Sequence, residues 1–212
     1  MSYPVTPTEF KENPYNWEWY DRDYFCSPDG TQEFPNHHCK MTWVKSIPFI
    51  ENYRNAVDIG CRDGEYTRYL HKDFEHVFCF DYRRRKLFHK NVDLKKITHF
   101  KCGLAEEHKI ELVSGGGSMT TGKIPKEKYY EEQLYTLDEF NFSNIDYIKI
   151  DVDGYELRVL KGCVETIKNC SPLLIIEQEG EDRDAINFCQ TLGYEICDWD
   201  DDHRNVIMRK NK

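Results

Sequence analysis

AVDIGCRDGEYTRYLHK, residues 56–72, joins an apolar run to a helical pattern through a glycine loop. The run AVDIG (56–60) is typical of a buried strand that ends in a tight turn. The residues after the loop have helical spacing at Tyr66, Tyr69 and Leu70. This stretch therefore predicts a strand, a loop and a helix, which is the repeating unit of an α/β fold.

The same alternation of strands and helices continues along the chain. Strands are predicted by four further apolar runs: HVFCFD (76–81), ITHFKC (97–102), YIKIDV (147–152) and PLLIIEQE (172–179). Helical patterns lie at RRRKLFHKNVDL (83–94) and DAINFCQTLG (184–193), and YEICDW (194–199) with NVIMRK (205–210) predicts a terminal antiparallel hairpin. Short strands separated by helices pair in parallel through right-handed crossovers. We therefore expect a sheet of about seven strands, most of them parallel.

Two segments depart from this alternation. Five prolines punctuate the N-terminal segment, which we predict to be an irregular extension or lid (1–45) before the main domain (46–212). Residues 105–135 carry the turn Gly115–Gly117 between polar β-like runs and predict an inserted hairpin or mobile loop beside the site. TLDEF (136–140) has capping-box spacing and predicts the start of a short helix.

Composition narrows the class of protein. A chain of 212 residues with net charge −9 and a pI near 5.4 suits one domain and has no overall positive field for nucleic acid. It has nine cysteines, an odd number, several of them within apolar runs, which indicates reduced thiols in a cytoplasmic protein. The N-terminus lacks a signal-peptide pattern and no window is apolar enough for a membrane span, so we expect a soluble protein.

Two polar clusters are predicted to be ordinary surface and not ligand sites. His37, His38 and Cys39, with Cys26 upstream, match no zinc-binding spacing, so a plain loop is expected there. The basic run at residues 83–86 predicts a solvated helix face in preference to a phosphate site.

The loop after the first strand reads DIGCRDG (58–64), and its D-x-G-x-x-x-G spacing differs from the G-x-G-x-x-G of dinucleotide sites. Gly60 permits a sharp turn close to a ligand, and Gly64 leaves space where the helix begins. Asp58 would repel a phosphate but is suited to ordering the loop or facing a cationic amine. Asp81, at the end of the second strand, is placed to accept hydrogen bonds from ribose hydroxyls. Together these features favour a nucleoside that bears an amino acid.

On these residues the sequence resembles the class I S-adenosylmethionine-dependent methyltransferases, and more narrowly the FkbM family. The matching segments are DIGCRDGEYT (58–67), Thr136-Leu137-Asp138, IKIDVDGYELRVLKG (148–162) and PLLIIE (172–177). The sequence departs from the family pattern where Asp81-Tyr82 replaces the common Glu-Pro, and where Cys61-Arg62-Asp63 replaces other loop residues.

The resemblance implies a Rossmann-like fold with a seven-stranded sheet in the order 3-2-1-4-5-7-6 and helices on both faces. It also implies S-adenosylmethionine as the cofactor. The residues expected to bind it are Asp58, Gly60, Asp63 and Gly64 in the loop, Asp81 and Tyr82 after the second strand, Cys102 and Gly103 after the third, and Asp151 after the fourth.

Three residues at the ends of the fourth and fifth strands are candidates for catalysis. The resemblance places Asp151 near the reacting methyl, where it can hold the cofactor's amino group or take a proton from the acceptor. Lys149 lies two residues earlier, on the same side of the strand; its alternative is a lysine that extends out from a sheet edge. Glu177 ends the fifth strand and is a candidate for acceptor binding, for proton transfer or for a structural salt bridge.

The acids around this fourth strand have alternative roles. Asp153 and Glu156 have capping-box spacing, so a structural role at a helix start stands beside a functional one. Asp151, Asp153 and Glu177 would also offer the oxygen ligands that Mg²⁺ prefers. Nothing in the spacing requires a divalent cation, and no metal ligands are predicted.

The predicted activity is methylation of a hydroxyl on a saccharide or another small-molecule acceptor. The protein must align nucleophile, methyl and sulfur and manage one proton. Two alternatives stay open: a ribose methyltransferase acting on RNA, against which the acidic pI weighs, and a cofactor-binding module without catalysis. We expect no membrane partner.

Overall fold

The computed structural model describes residues 37–83, 88, 92–114, 129–178, 180–200 and 204–211. The helices are α1 (His37–Ser46), α2 (Thr67–Asp73), α3 (Glu156–Lys161), α4 (Val164–Cys170) and α5 (Asp184–Thr191). The strands are β1 (Asn55–Ile59), β2 (His76–Phe80), β3 (Ile97–Phe100), β4 (Gly103–Leu104), β5 (Lys109–Ser114), β6 (Tyr129–Tyr135), β7 (Ile145–Ile150), β8 (Leu173–Glu177), β9 (Tyr194–Trp199) and β10 (Asn205–Lys210). Single 3₁₀ turns lie at Ile47–Phe49, Leu94–Lys96 and Asp138–Phe140.

Seven of these strands form the main sheet, in the order β3-β2-β1-β7-β8-β10-β9. Counted in chain order within this sheet, the order is 3-2-1-4-5-7-6, which confirms the topology that the resemblance implied. The pairs from β3 to β8 are parallel, and β10 runs antiparallel to both β8 and β9. The direction of winding reverses between β1 and β7, so the carboxyl ends of these strands border the crevice in which open α/β sheets bind ligands.

Alternating side chains give this sheet a core on each face. On one face Val57, Ile148 and Leu174 pack with residues of α3, α4 and α5. On the other face Ala56 and Tyr147 pack with residues of α1 and α2. The prediction of helices on both faces is therefore confirmed.

The helix α1 corrects the loop predicted at residues 37–39. The sequence predicts a plain loop there, but the chain is helical over His37–Ser46. Trp43 on this helix is 1% exposed and contacts Phe74 edge to face, with ring centroids 6.4 Å apart. Packing against a distant part of the chain therefore stabilises a helix that no pattern in the local sequence predicts. Residues 1–36 lie outside the described residues.

The insertion after β3 forms a second, three-stranded sheet in the order β4-β6-β5. Strands β5 and β6 pair antiparallel, which confirms the predicted hairpin, and β4 joins β6 in parallel. The glycine turn predicted at residues 115–117 lies outside the described residues. Because β4 directly follows β3, this small sheet stands beside the carboxyl end of the main sheet.

Capping contacts confirm one predicted helix start and correct another. The N–H of Glu139 donates to Thr136 Oγ1 at 3.2 Å, and Glu139 Oε2 accepts the N–H of Thr136 at 2.7 Å, which is a reciprocal capping box at a 3₁₀ turn. The box predicted from Asp153 is wrong, because Asp153 has a φ of +53° and α3 begins only at Glu156. The Glu156 carboxylate instead accepts two backbone N–H groups of the preceding loop, both at 3.1 Å.

Three further predictions concern the chain as a whole. The eight described cysteines are free, which confirms the expected thiols, and Cys26 lies outside the described residues. The helix predicted at 83–94 falls mainly on residues that are not described. Within the described ranges, no helix has both the length and the apolar character that crossing a membrane requires.

Candidate active site

A cavity of about 370 Å³ opens at the carboxyl ends of β1, β2, β7 and β8. Its size is typical of small-molecule sites. Main-chain hydrogen bonds hold these strand ends together: the N–H of Gly60 donates to the carbonyl of Phe80 at 2.9 Å, and the N–H of Asp151 to that of Ile59 at 3.0 Å. The predicted site residues that line the cavity are Asp58, Gly60, Asp81, Tyr82, Cys102, Gly103, Lys149, Asp151 and Glu177.

Two predicted cofactor residues, Asp63 and Gly64, do not line this cavity. Gly64 has a φ of +89°, and its N–H donates to the carbonyl of Cys61 at 2.8 Å. It therefore shapes the turn that leads into α2, while Gly60, Cys61 and Arg62 form the cavity wall.

Other protein atoms lie close to the two glycines of the cavity wall. Gly60 has a φ of +84°, and a Cβ added there would lie 1.8 Å from the carbonyl oxygen of Asp151. A Cβ added at Gly103 would lie 2.5 Å from Leu134 Cδ2. The structure shows close approach of the residue after β7 to Gly60 and of a β6 side chain to Gly103. Close approach of a ligand at both positions stays a prediction.

Asp81 joins the end of β2 to the loop after β1. Its carboxylate is buried; Oδ1 accepts the N–H of Arg83 at 2.8 Å and Oδ2 accepts the N–H of Arg62 at 3.1 Å. These two contacts fix the orientation of the carboxylate at the cavity wall.

Asp58 stabilises the start of α2. It is 1% exposed, and the Thr67 hydroxyl donates to its Oδ2 at 2.5 Å. Burial raises the pKa of Asp58 to about 6. Thr67 belongs to α2, so a role of Asp58 in ordering the glycine loop stays a prediction; the register partner of Asp58 on β7 is Lys149.

Lys149 is a buried ammonium on a central strand. It is 2% exposed, and its Nζ donates to Asp151 Oδ2 at 3.0 Å, so the alternative of a lysine leaving a sheet edge is wrong. Burial alone would lower the pKa of Lys149, but the Asp151 carboxylate raises it above its ordinary value. Lys149 is therefore charged at neutral pH.

Asp151 and Glu177 hold opposite protonation states. Burial alone would raise the pKa of Asp151, yet the Lys149 ammonium lowers it to about 2. Burial, and then repulsion by the Asp151 carboxylate, raise the pKa of Glu177 to about 9. Glu177 Oε2 is buried and has no hydrogen-bond partner among the described residues. At neutral pH this cluster thus consists of an ammonium, a carboxylate and a neutral carboxyl group.

The oxygen ligands considered for a divalent cation do not assemble into a metal site. Within the described part of the chain, no group of three or more His, Cys, Asp or Glu side chains is arranged to hold a metal ion. The charge beside Asp151 is supplied instead by the Lys149 ammonium.

Several polar residues of the cavity wall were not predicted from the sequence: Cys39, Arg62, Glu65, Tyr66, Arg83 and Arg204. Glu65 and Tyr66 directly follow the glycine loop, so the loop motif could have indicated them. Cys39 and Arg204 come from α1 and from the segment before β10, and no local pattern marks either.

Comparison with known families agrees with this arrangement. The sequence matches the family model of the methyltransferase FkbM domain over residues 50–208, which is most of the chain. This chain belongs to the FkbM methyltransferase family. No match to it was found among curated proteins.

The FkbM chain is also similar to solved structures. It has a TM-score of 0.54 and 19% identity to the methyltransferase FkbM of Methylobacillus flagellatus, covering 74% of this chain but only 43% of that one. A protein of Streptococcus mutans solved in complex with SAH gives a TM-score of 0.52 at 10% identity, over 82% and 98% of the two chains. The precorrin 8W decarboxylase of Methanobacterium thermoautotrophicum gives 0.51 at 12% identity, over 82% and 90%. At these identities the similarity concerns the fold alone.

Proposed function

We propose that this FkbM chain transfers a methyl group from S-adenosylmethionine to a hydroxyl of a sugar or another small metabolite. The observation that carries the proposal is the cavity at the reversal of the sheet, which has acids at the ends of β1, β2, β7 and β8 in its wall. It places Asp81 on β2's side of the glycine loop and the cluster of Lys149, Asp151 and Glu177 on the side of β7 and β8.

The residues present suit this cofactor. Backbone N–H groups hold the Asp81 carboxylate at the carboxyl end of β2. In α/β proteins an acid at this position accepts hydrogen bonds from ribose hydroxyls. Asp58 and Asp151 add acidic groups beside Gly60, where the cationic amino group of the cofactor would lie. When bound, S-adenosylmethionine supplies a methyl group that its sulfonium already makes electrophilic, so alignment and proton management are what remain for the protein.

The pKa values divide the roles within the cluster. With a pKa of about 2, Asp151 is a weak base, which favours a role as anchor for the cationic amino group. Lys149 keeps Asp151 ionised and in place through the 3.0 Å contact. Burial and the Asp151 carboxylate raise the pKa of Glu177 to about 9, so it carries a proton at neutral pH and donates it in a hydrogen bond to Asp151, which helps to hold that carboxylate in place.

Cofactor binding tests the nucleoside assignment. Asp81→Ala is expected to weaken binding of S-adenosylhomocysteine at least about tenfold in isothermal titration calorimetry, because hydrogen bonds to a charged carboxylate are lost. Asp73→Ala, which removes an exposed carboxylate at the end of α2, is the matched control and should leave the affinity unchanged. Unchanged affinity in Asp81→Ala would remove that residue from the site.

Turnover on sugars, small hydroxyl compounds and RNA, followed by release of S-adenosylhomocysteine, tests the reaction. Transfer to sugars or small metabolites supports the proposal. Transfer confined to RNA would indicate ribose methylation, and cofactor binding without transfer would indicate a non-catalytic module. Asp151→Asn is expected to reduce turnover far more than stability, and equal losses in both would return Asp151 to a structural role.

A further inference from the structure

The basic side chains of the cavity differ in whether they have a hydrogen-bond or ion-pair partner. Four of them line it among the described residues, and three have partners within the chain: Lys149 with Asp151 at 3.0 Å, Arg62 with Glu65 at 3.4 Å, and Arg83 with the Tyr82 hydroxyl at 3.3 Å. The fourth, Arg204, is exposed, and its guanidinium makes no hydrogen bond or ion pair with any residue that the structure describes. It is therefore the cavity's available cation within those ranges.

The backbone of Arg204 is fixed by a buried carboxylate. Asp200 is 1% exposed; its Oδ1 accepts the N–H of Arg204 at 2.7 Å, and its Oδ2 accepts from Asn205 Nδ2 at 2.7 Å and from the Thr42 hydroxyl at 3.0 Å. The carbonyl of Arg204 also accepts the N–H of Gln178 at 2.6 Å. Because a buried carboxylate needs such hydrogen bonds to offset its desolvation, the segment that carries Arg204 is tied firmly to α1 and to the end of β8.

This anchoring places Arg204 next to the proposed catalytic cluster. Its neighbour Asn205 pairs with Glu177 across β10 and β8, and both Arg204 and Glu177 line the cavity. The acids Asp58 and Asp81 are only 1% and 6% exposed, whereas Arg204 is exposed. The buried acids suit the sulfonium and ammonium of the cofactor, and Arg62 of the glycine loop is placed to pair with its carboxylate. The exposed guanidinium of Arg204, beside Glu177, is thereby left to the acceptor.

We propose that Arg204 recognises a carboxylate or phosphate group on the acceptor, so that the methylated hydroxyl belongs to an anionic small molecule. This inference rests on the methyl transfer proposed above. A guanidinium forms paired hydrogen bonds with either anion. A single arginine without a partner among the described residues matches one anionic group, whereas RNA binding relies on an extended basic surface, and this chain has a net charge of −9.

Anion binding tests the inference without knowledge of the acceptor. Inorganic phosphate and acetate are titrated by calorimetry into protein saturated with S-adenosylhomocysteine. We expect the wild type to bind at least one of them and Arg204→Gln to weaken that binding about tenfold, the loss expected for charge-assisted hydrogen bonds. The anion with the larger loss identifies the group recognised. Equal binding by wild type and Arg204→Gln, or no binding by the wild type, would overturn the inference.

Matched variants separate recognition from folding. Arg209→Gln removes another exposed arginine of the same segment, one that pairs with Glu195 at 3.2 Å, and should leave anion binding unchanged. The contacts that anchor Arg204 use its backbone, so Arg204→Gln should unfold at the wild-type temperature. Arg204→Lys keeps the charge without the planar fork and should retain part of the affinity.

Methyl transfer distinguishes failure of this inference from failure of the proposed function. Protein and labelled S-adenosylmethionine are incubated with a cell metabolite extract, and the products are separated on an anion exchanger. Labelled anionic products that fall about tenfold in Arg204→Gln support the inference. Labelled products that are neutral, or labelled RNA, would overturn it while leaving the methyltransferase in place. Absence of cofactor binding in the wild type would overturn the proposed function, and this inference with it.

Discussion

Replacing Glu177 with glutamine tests the protonation state of the carboxyl cluster. Burial and the Asp151 carboxylate raise the pKa of Glu177 to about 9, from an ordinary value of 4.5. Between these two pH values the folded chain holds a proton that the unfolded chain has released. The stability contributed by the neutral carboxyl is therefore fully present below pH 4.5 and is lost as the pH rises toward 9. Glutamine does not ionise, so the variant escapes this loss.

The size of the effect follows from proton linkage. Within this window, each pH unit lowers the unfolding free energy of the wild type by up to about 1.4 kcal/mol relative to Glu177→Gln. From pH 4.5 to pH 7 the accumulated difference is about 3 kcal/mol. Asp151, with a pKa of about 2, is ionised throughout the range and adds no slope.

Urea unfolding between pH 5 and pH 8, followed by circular dichroism, measures this difference. Glu177→Gln should gain stability over the wild type steadily as the pH rises. Glu165→Gln, which removes an exposed carboxyl on α4, is the matched control and should show no such gain. A difference between Glu177→Gln and wild type that stays constant over this range would refute the assigned protonation state.

Two further variants test the cavity wall and the inserted sheet. Gly60→Ala should lower the unfolding free energy by more than about 3 kcal/mol in urea, because positive φ and overpacking act together and the new Cβ would lie 1.8 Å from the Asp151 carbonyl oxygen. Gly180 also has a positive φ, but its new Cβ would meet no atom within 4 Å, so Gly180→Ala should cost only about 1 kcal/mol. Equal losses in the two variants would mean that the loop after β1 moves to make room for the new Cβ. Arg158→Gln removes guanidinium contacts of 2.6 Å and 3.0 Å from α3 to two glutamates at and before β5, so limited proteolysis should cut the β5–β6 hairpin several-fold faster. Lys168→Gln on α4 should not change the cleavage rate, and wild-type cleavage in Arg158→Gln would show that other contacts hold the hairpin.

Local sequence patterns were sufficient to predict most of the main sheet. The strands of the main sheet are short apolar runs, and most of them are separated by segments with a helical pattern, so the alternation could be read from neighbouring residues. The motif DIGCRDG also located the glycine turn, because a φ of +84° at Gly60 favours glycine wherever it occurs. The helix α1 escaped prediction because Trp43 is buried by Phe74, a residue distant in sequence.

Position along a strand likewise located much of the cavity wall. Asp81, Asp151 and Glu177 follow or end parallel strands, and parallel strands bring their carboxyl ends to one edge of a sheet. Asp63 was assigned to the cofactor site on motif position alone, yet it lies outside the cavity lining. A loop motif identifies the residues that form a turn, but it does not predict which of their side chains face the ligand.

By itself, the amino-acid sequence determined the strands of the main sheet, the glycine turn after β1 and the acids at the strand ends. All of these depend on residues that are close together in the chain. Tertiary structure alone decided that Lys149 is buried against Asp151, that Glu177 keeps a proton and that Cys39 and Arg204 reach the same cavity. Burial and charge pairing act through space, so they are set only when distant segments have packed together.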